Sequence, residues 1–114
     1  RMLANGGELG GVLVLSPATV ARMITPVQMP ANAGSRGLGW DIDTYQSTPR
    51  GLIFPIGSFG HTGFTGVSVW IDPGSDSYVI VLGNVIHQRG GPPISTLSGE
   101  VATVAARTLH LYGS

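Results

Sequence analysis

Neither lysine nor cysteine occurs anywhere in the 114 residues. Without cysteine there are no disulfides, no thiolate metal sites and no thiol nucleophile. Without lysine, any mechanism that needs a side-chain amine must draw it from another segment or another polypeptide. Charge of either sign is scarce: charged residues make up 11% of the chain, and six arginines balance six acidic residues to a formal net charge of zero. A chain with no basic stripe has no means of displacing counterions from a phosphate backbone, which argues against nucleic-acid binding. It also argues against an electrostatic membrane anchor. No apolar run approaches the ~20 residues that a membrane span requires. The first residues do not form a signal peptide, with its charged start, apolar stretch and small-residue cleavage site. His61, His87 and His110 lie far apart and none has a histidine partner at i, i+4, so no metal or cofactor is expected. Nucleophile-elbow, phosphate-loop and dinucleotide signatures are missing as well.

What remains is rich in turns and still able to build a core. The sequence has 18 glycines and 8 prolines, yet 42% of its residues are hydrophobic, so disorder is not expected. The length suits one domain or a piece of one. Arg1 to Gly7 closes on Asn-Gly-Gly and reads as the tail of a helix with a left-handed glycine cap. Ser16-Pro17 starts a helix, with serine as N-cap and proline where its missing N–H costs nothing. Val20, Met23, Ile24 and Val27 form its apolar stripe, and Pro26 and Pro30 stop it near residue 25. Residues 28–36 read as a loop, Gly37 to Ile42 as a short strand, and Thr48 to Gly51 as a turn.

The second half carries clearer periods. Val67 to Asp72 alternates as a strand with unequal faces, and Asp72 to Asp76 is a turn. Tyr78 to Leu82 is a continuous apolar run, which predicts a central strand covered on both faces. Ile56 to Thr62 adds a third strand. After Pro92-Pro93 comes a helix expected to bury Leu97, Val101, Val104, Ala105 and Thr108, with His110 near its C-terminus. The order predicts an α+β fold, an antiparallel sheet packed by a C-terminal helix, resembling one side of a larger sheet.

The densest candidate for chemistry is Gly60-His61-Thr62-Gly63-Phe64-Thr65-Gly66. Glycines let backbone approach a ligand closely, and neighbouring N–H groups can point at an anion. One reading is a substrate-binding strand edge with an oxyanion-stabilising backbone donor. The other is a glycine-rich hairpin entry with one exposed histidine, and composition favours neither. Asp41 and Asp43 have the spacing of paired carboxylates on one strand face, as a small glycosidase would use. A solvated strand edge is the commoner meaning of such a pair, and no cluster of stacking aromatics surrounds it.

Together these segments resemble the C-terminal part of the serine β-lactamase and penicillin-binding-protein-like hydrolases, in the class C, esterase and D-aminopeptidase branch. The resemblance is carried by Met2 to Leu9 with Leu15 to Val20, by Gly37-Leu38-Gly39-Trp40, by His61-Thr62-Gly63 before Phe64-Thr65-Gly66, and by Val67 to Asn84 with the last helix. It implies a β-lactamase/transpeptidase-like fold of which residues 1–114 are a partial domain. It also implies hydrolysis of a β-lactam, an ester or a D-amino acid peptide through an acyl-enzyme. His61-Thr62-Gly63 stands where the family carries Lys-Thr-Gly or its histidine variant. By that likeness the Phe64 N–H is an oxyanion donor, His61, Thr62, Gly63, Thr65 and Gly66 contact substrate, and Asn84 and Arg89 are more distant contacts.

The family's Ser-x-x-Lys nucleophile and Tyr-x-Asn motif are both missing, so the nucleophile-bearing part is expected in the same gene or on a companion chain. The chain alone is expected to be inactive. A non-catalytic binding module on the same scaffold is the alternative. The likeness further implies a bacterial protein that is periplasmic or secreted. Histidine in place of lysine implies a pocket that attracts substrate carboxylates less strongly, since imidazole is only partly charged near neutral pH.

Overall fold

The computed structural model describes residues 1–87 and 90–114. Residues 1–7 end as their glycines require: Gly7 N–H donates to Met2 C=O and Gly6 N–H to Leu3 C=O, with Gly6 at φ +66°. That pairing is a Schellman closure of a helical turn. A hairpin follows, β1 (Glu8–Leu9) and β2 (Val12–Leu13), around Gly10 and Gly11, both at positive φ. Two adjacent glycines between apolar residues are a hairpin signal that the sequence reading passed over. Helix α1 (Pro17–Ile24) begins as expected, with the Ser16 side chain accepting from Thr19 N–H, and ends at Thr25.

The main sheet has five antiparallel strands in the order β3 (Ser35–Arg36), β4 (Asp41–Asp43), β5 (Phe59–Gly63), β6 (Val67–Asp72) and β7 (Ser77–Val81). Three of its strands differ from expectation. β3 lies in the stretch read as loop. The expected strand at Gly37 to Ile42 is formed only at its end: residues 37–40 bend, with Gly37 N–H donating to Trp40 C=O, and strand pairing starts at Asp41 in β4. The reason is close packing on α1. Leu38 N–H donates to Met23 C=O, and a Cβ on Gly37 would sit 2.1 Å from that same oxygen.

β7 is a correction. Among the described residues it lies at the edge of the sheet and not at its centre, and its burial alternates. Val79 packs on the core, whereas Tyr78 and Ile80 are exposed. Its residues pair with β6 in register from Asp72↔Ser77 to Ser68↔Val81, and among the described residues no strand covers its other side.

Helix α2 (Ile94–Thr108) packs on the β6–β7 face, but through the opposite side to the one expected. Its buried residues are Ser98, Gly99, Ala102, Thr103 and Ala106, while Leu97, Val101 and Val104 are exposed. Backbone contact decides this. The short 3₁₀ turn Thr48–Arg50 and Gly51 lie so near the helix that a Cβ on Gly99 would meet Thr48 C=O at 2.5 Å. Leu52 N–H also donates to Thr103 Oγ1 at 3.0 Å. Only small side chains allow that approach, so the bulky residues face outward.

Two clusters fill the interior, one on each face of the sheet. Phe54, Trp70, Ala102 and Ala106 lie beneath α2. Ile42, Phe59 and Ile71 lie on the other face, against Leu3, Ile24 and Trp40. Trp70 is almost fully buried, and its indole N–H donates to Ser58 Oγ at 2.8 Å, so the buried donor is satisfied. The indole lies across Gly60, where a Cβ would come within 2.2 Å of its ring. Gly60 therefore serves packing. No described helix is long and apolar enough to cross a membrane.

Candidate active-site rim

β5 carries the candidate segment. It pairs with β6 along its whole length, from Phe59↔Ile71 to Gly63↔Val67. Its pairing with β4 is one residue pair, Asp41↔Gly60. His61, Thr62 and Gly63 thus run past the β4 pairing, and among the described residues no strand is paired along that edge. The strand then turns through Phe64, Thr65 and Gly66, closed by Gly66 N–H to Gly63 C=O at 3.0 Å. Gly66 supplies the positive φ that a three-residue hairpin loop needs at its last position.

Thr62 and Gly63 line a cleft of about 310 Å³ between the end of β5, the start of α2 and the Tyr45–Pro49 loop. Its hydroxyls come from Tyr45, Thr48, Thr62, Ser68, Ser95 and Ser98, and among the described residues no histidine, carboxylate or arginine lines it. A serine there has no base to activate it. His61 stands on the exposed rim, and the Phe64 side chain points to solvent at 92% exposure. The Phe64 N–H has no backbone acceptor among the described residues, which leaves it free to donate. Thr65 is exposed and Gly66 buried. Thr65 C=O accepts from Val85 N–H at 2.9 Å, tying the loop to the segment that follows β7. Asn84, on that segment, is exposed and uses Oδ1 to accept from Ile86 N–H. Arg89 lies outside the described residues.

A polar cluster that the sequence reading did not assemble adjoins His61. The imidazole Nε2 is 3.3 Å from Arg36 Nη2, and Nδ1 is 2.6 Å from Thr62 C=O. Arg36 Nη1 pairs at 3.1 Å with Oδ1 of Asp41, whose side chain is fully buried, and lies 3.5 Å from Gln46 Oε1. Thr44 Oγ1 also donates to Asp41 Oδ1, while the buried Asp41 Oδ2 has no partner. Asp41 is thus a buried ion-pair member, not the solvated edge expected of it. Asp43 pairs separately with Arg50 at 2.9 Å, so the two carboxylates are engaged with different arginines. The position of Arg36 just before Gly37-Leu38-Gly39-Trp40 was the available signal, and it went unread because nothing in the spacing shows that β3 lies beside β4.

Residues 1–94 match the Beta-lactamase family. The chain belongs to that family. Similar proteins described as "Putative D-alanyl-D-alanine carboxypeptidase" come from Salmonella paratyphi B, Salmonella newport and Salmonella heidelberg. Each is 35% identical over 95 residues, covering 82% of this chain. The match spans 21% of each relative's own length, so the chain corresponds to about a fifth of these curated relatives. The antiparallel sheet with its packed C-terminal helix is the α+β arrangement the family implies.

Proposed function

We propose that this chain is the part of a longer serine acyl hydrolase that supplies one wall of its active-site cleft. In this reading a serine contributed from elsewhere in the protein is acylated by the substrate, and water then hydrolyses the ester. Thr62 and Gly63 line the pocket, and the Phe64 N–H helps to hold the tetrahedral oxyanion, where one donor is typically worth about 10²–10³ in turnover. The observation that carries the reading is the unpaired edge of β5 at His61–Gly63, beside a cleft that Thr62 and Gly63 line. In this reading the nucleophile and base come from a Ser-x-x-Lys and a Tyr-x-Asn segment outside this chain, since the described residues of the cleft include no base. Among acyl substrates, a D-alanyl-D-alanine peptide ranks ahead of a β-lactam or a simple ester, on the names of the relatives. Such a substrate places the reaction in the periplasm or outside the cell.

The remainder of the protein also has surfaces to cover. The open edge of β7, with Ile80 at 55% exposure, and the outward stripe of α2, with Val104 at 61%, are both apolar. The complete protein should cleave an acyl-D-alanyl-D-alanine peptide, releasing D-alanine, whereas residues 1–114 expressed alone should show no turnover of that peptide, of a chromogenic ester or of a cephalosporin. Turnover by the isolated chain would overturn the division of labour. A complete protein that acylates no serine would favour a non-catalytic binding module on this scaffold.

A further inference from the structure

We infer that a groove along the flank of α2 is an exosite for the remote part of the substrate, a peptide with a free amine and, farther on, a free carboxylate. The inference rests on the reading that the cleft of Thr62 and Gly63 belongs to an acyl hydrolase, and it names the chain that leads away from that cleft. The groove, of about 660 Å³, lies between α2 and residues 44–52, a size usual for a ligand site. Tyr45 and Thr48 line both the groove and the cleft of Thr62, so the two adjoin. Tyr45 stands at the junction, 90% exposed, on a turn held by Thr44 N–H to Ser47 Oγ and Gln46 N–H to Thr44 Oγ1. A fixed turn that holds an aromatic ring out to solvent is preorganised for contact with a passing chain.

Two of the polar side chains along the groove are already committed. Thr103 Oγ1 accepts from Leu52 N–H and donates to Gly99 C=O. Arg50 spends Nη1 on Ile42 C=O and on Asp43, which neutralises it. Apolar contact comes from Leu52, at 87% exposure. The charges left to a ligand are Glu100 and Arg107, both exposed and, among the described residues, both without an ion pair. They stand on one flank two helical turns apart, a separation of about 10.5 Å along the axis. One charge of each sign at that distance complements a ligand of the reverse pattern, and a uniformly charged ligand meets repulsion at one end.

The order of the two charges sets the order of groups on the substrate. The cleft of Thr62 meets α2 at Ser95 and Ser98. From Ser95 the helix rises about 7.5 Å to Glu100 and about 18 Å to Arg107. An extended peptide covers about 3.3 Å per residue, so its amine belongs about two residues from the cleft and its carboxylate about five.

The test uses the complete enzyme and peptides ending in D-alanyl-D-alanine, with lysine, norleucine or glutamate two residues before that end. The parent should prefer lysine to norleucine. In Glu100→Lys the lysine-to-norleucine ratio of kcat/KM should fall roughly 3- to 10-fold, and the variant should come to prefer glutamate. Arg107→Glu should likewise reverse the choice between glutamate and lysine five residues before the end. Added salt should shrink each preference. Both side chains are exposed and unpaired, so thermal unfolding of the variants should match the parent. Equal ratios in the parent and in folded variants overturn the exosite while leaving the hydrolase reading intact. A parent that cleaves no peptide of the series overturns the hydrolase reading, and this inference with it.

Discussion

Asp72 shows how much one residue can bind together in this chain. It is buried at the end of β6, and its Oδ2 accepts from both Ser75 Oγ and Tyr112 Oη. The Tyr112 hydroxyl thereby fastens the C-terminal turn Leu111–Gly113 to the sheet, with His110 and Tyr112 held at positive φ to reach it. The hydrogen bond to Asp72 above all, then burial and the carboxylate's charge, raises the Tyr112 pKa above its usual 10.0. The folded chain then holds a proton that the unfolded chain loses near pH 10, so stability must fall as pH climbs from that point through the folded value. Below it the contribution is complete. Tyr112→Phe should cost about 1 kcal/mol at neutral pH. It should also flatten the alkaline decline, which urea unfolding between pH 8 and 11 would measure. An equally steep decline in the variant would mean that another group controls it.

At the scale of elements, the α2 interface inverts the usual reading of a helix. Apolar periodicity assigned Leu97, Val101 and Val104 to the core, yet Ala102 and Ala106 are the fully buried positions. Enlarging a buried alanine should therefore do more harm than removing an exposed valine. Ala102→Leu is expected to destabilise the isolated chain by about 1–3 kcal/mol through overpacking against Phe54 and Trp70. Val104→Ser is expected to stay within about 0.5 kcal/mol. Chemical denaturation of the two variants checks the order, and a reversed order would restore the periodic face as the packed one.

On the scale of the whole molecule, the sheet of the described residues ends on an apolar strand that no other described strand covers. Tyr78 and Ile80 are exposed on β7, and exposed Leu82 follows it. An unpaired edge of this kind templates association with another strand. Residues 1–114 alone should self-associate at high concentration, and Ile80→Lys should suppress that association without unfolding the chain. Light scattering on the two would decide. A monomeric parent would show that the edge is blunted in some other way.

Local chemistry made much of this legible in advance. Ser16-Pro17 specified the start of α1, Asn-Gly-Gly the closure at residue 7, Pro73-Gly74 a turn, and the alternation of Val67 to Asp72 a strand, because caps, turns and strand periods depend on neighbours in sequence. His61-Thr62-Gly63, together with the three other stretches that resembled the family, likewise pointed to it. The packed side of α2, the edge position of β7 and the meeting of Arg36 with His61 were not readable in that way. Each depends on distances between segments remote in sequence: the approach of Gly51 to Gly99, the strand order of the sheet, and a guanidinium reaching from β3 to an imidazole 25 residues onward. Sequence set the local conformations and the kind of fold. Close backbone approach, which rewards small residues wherever two segments touch, selected the buried faces and the charges that stand together.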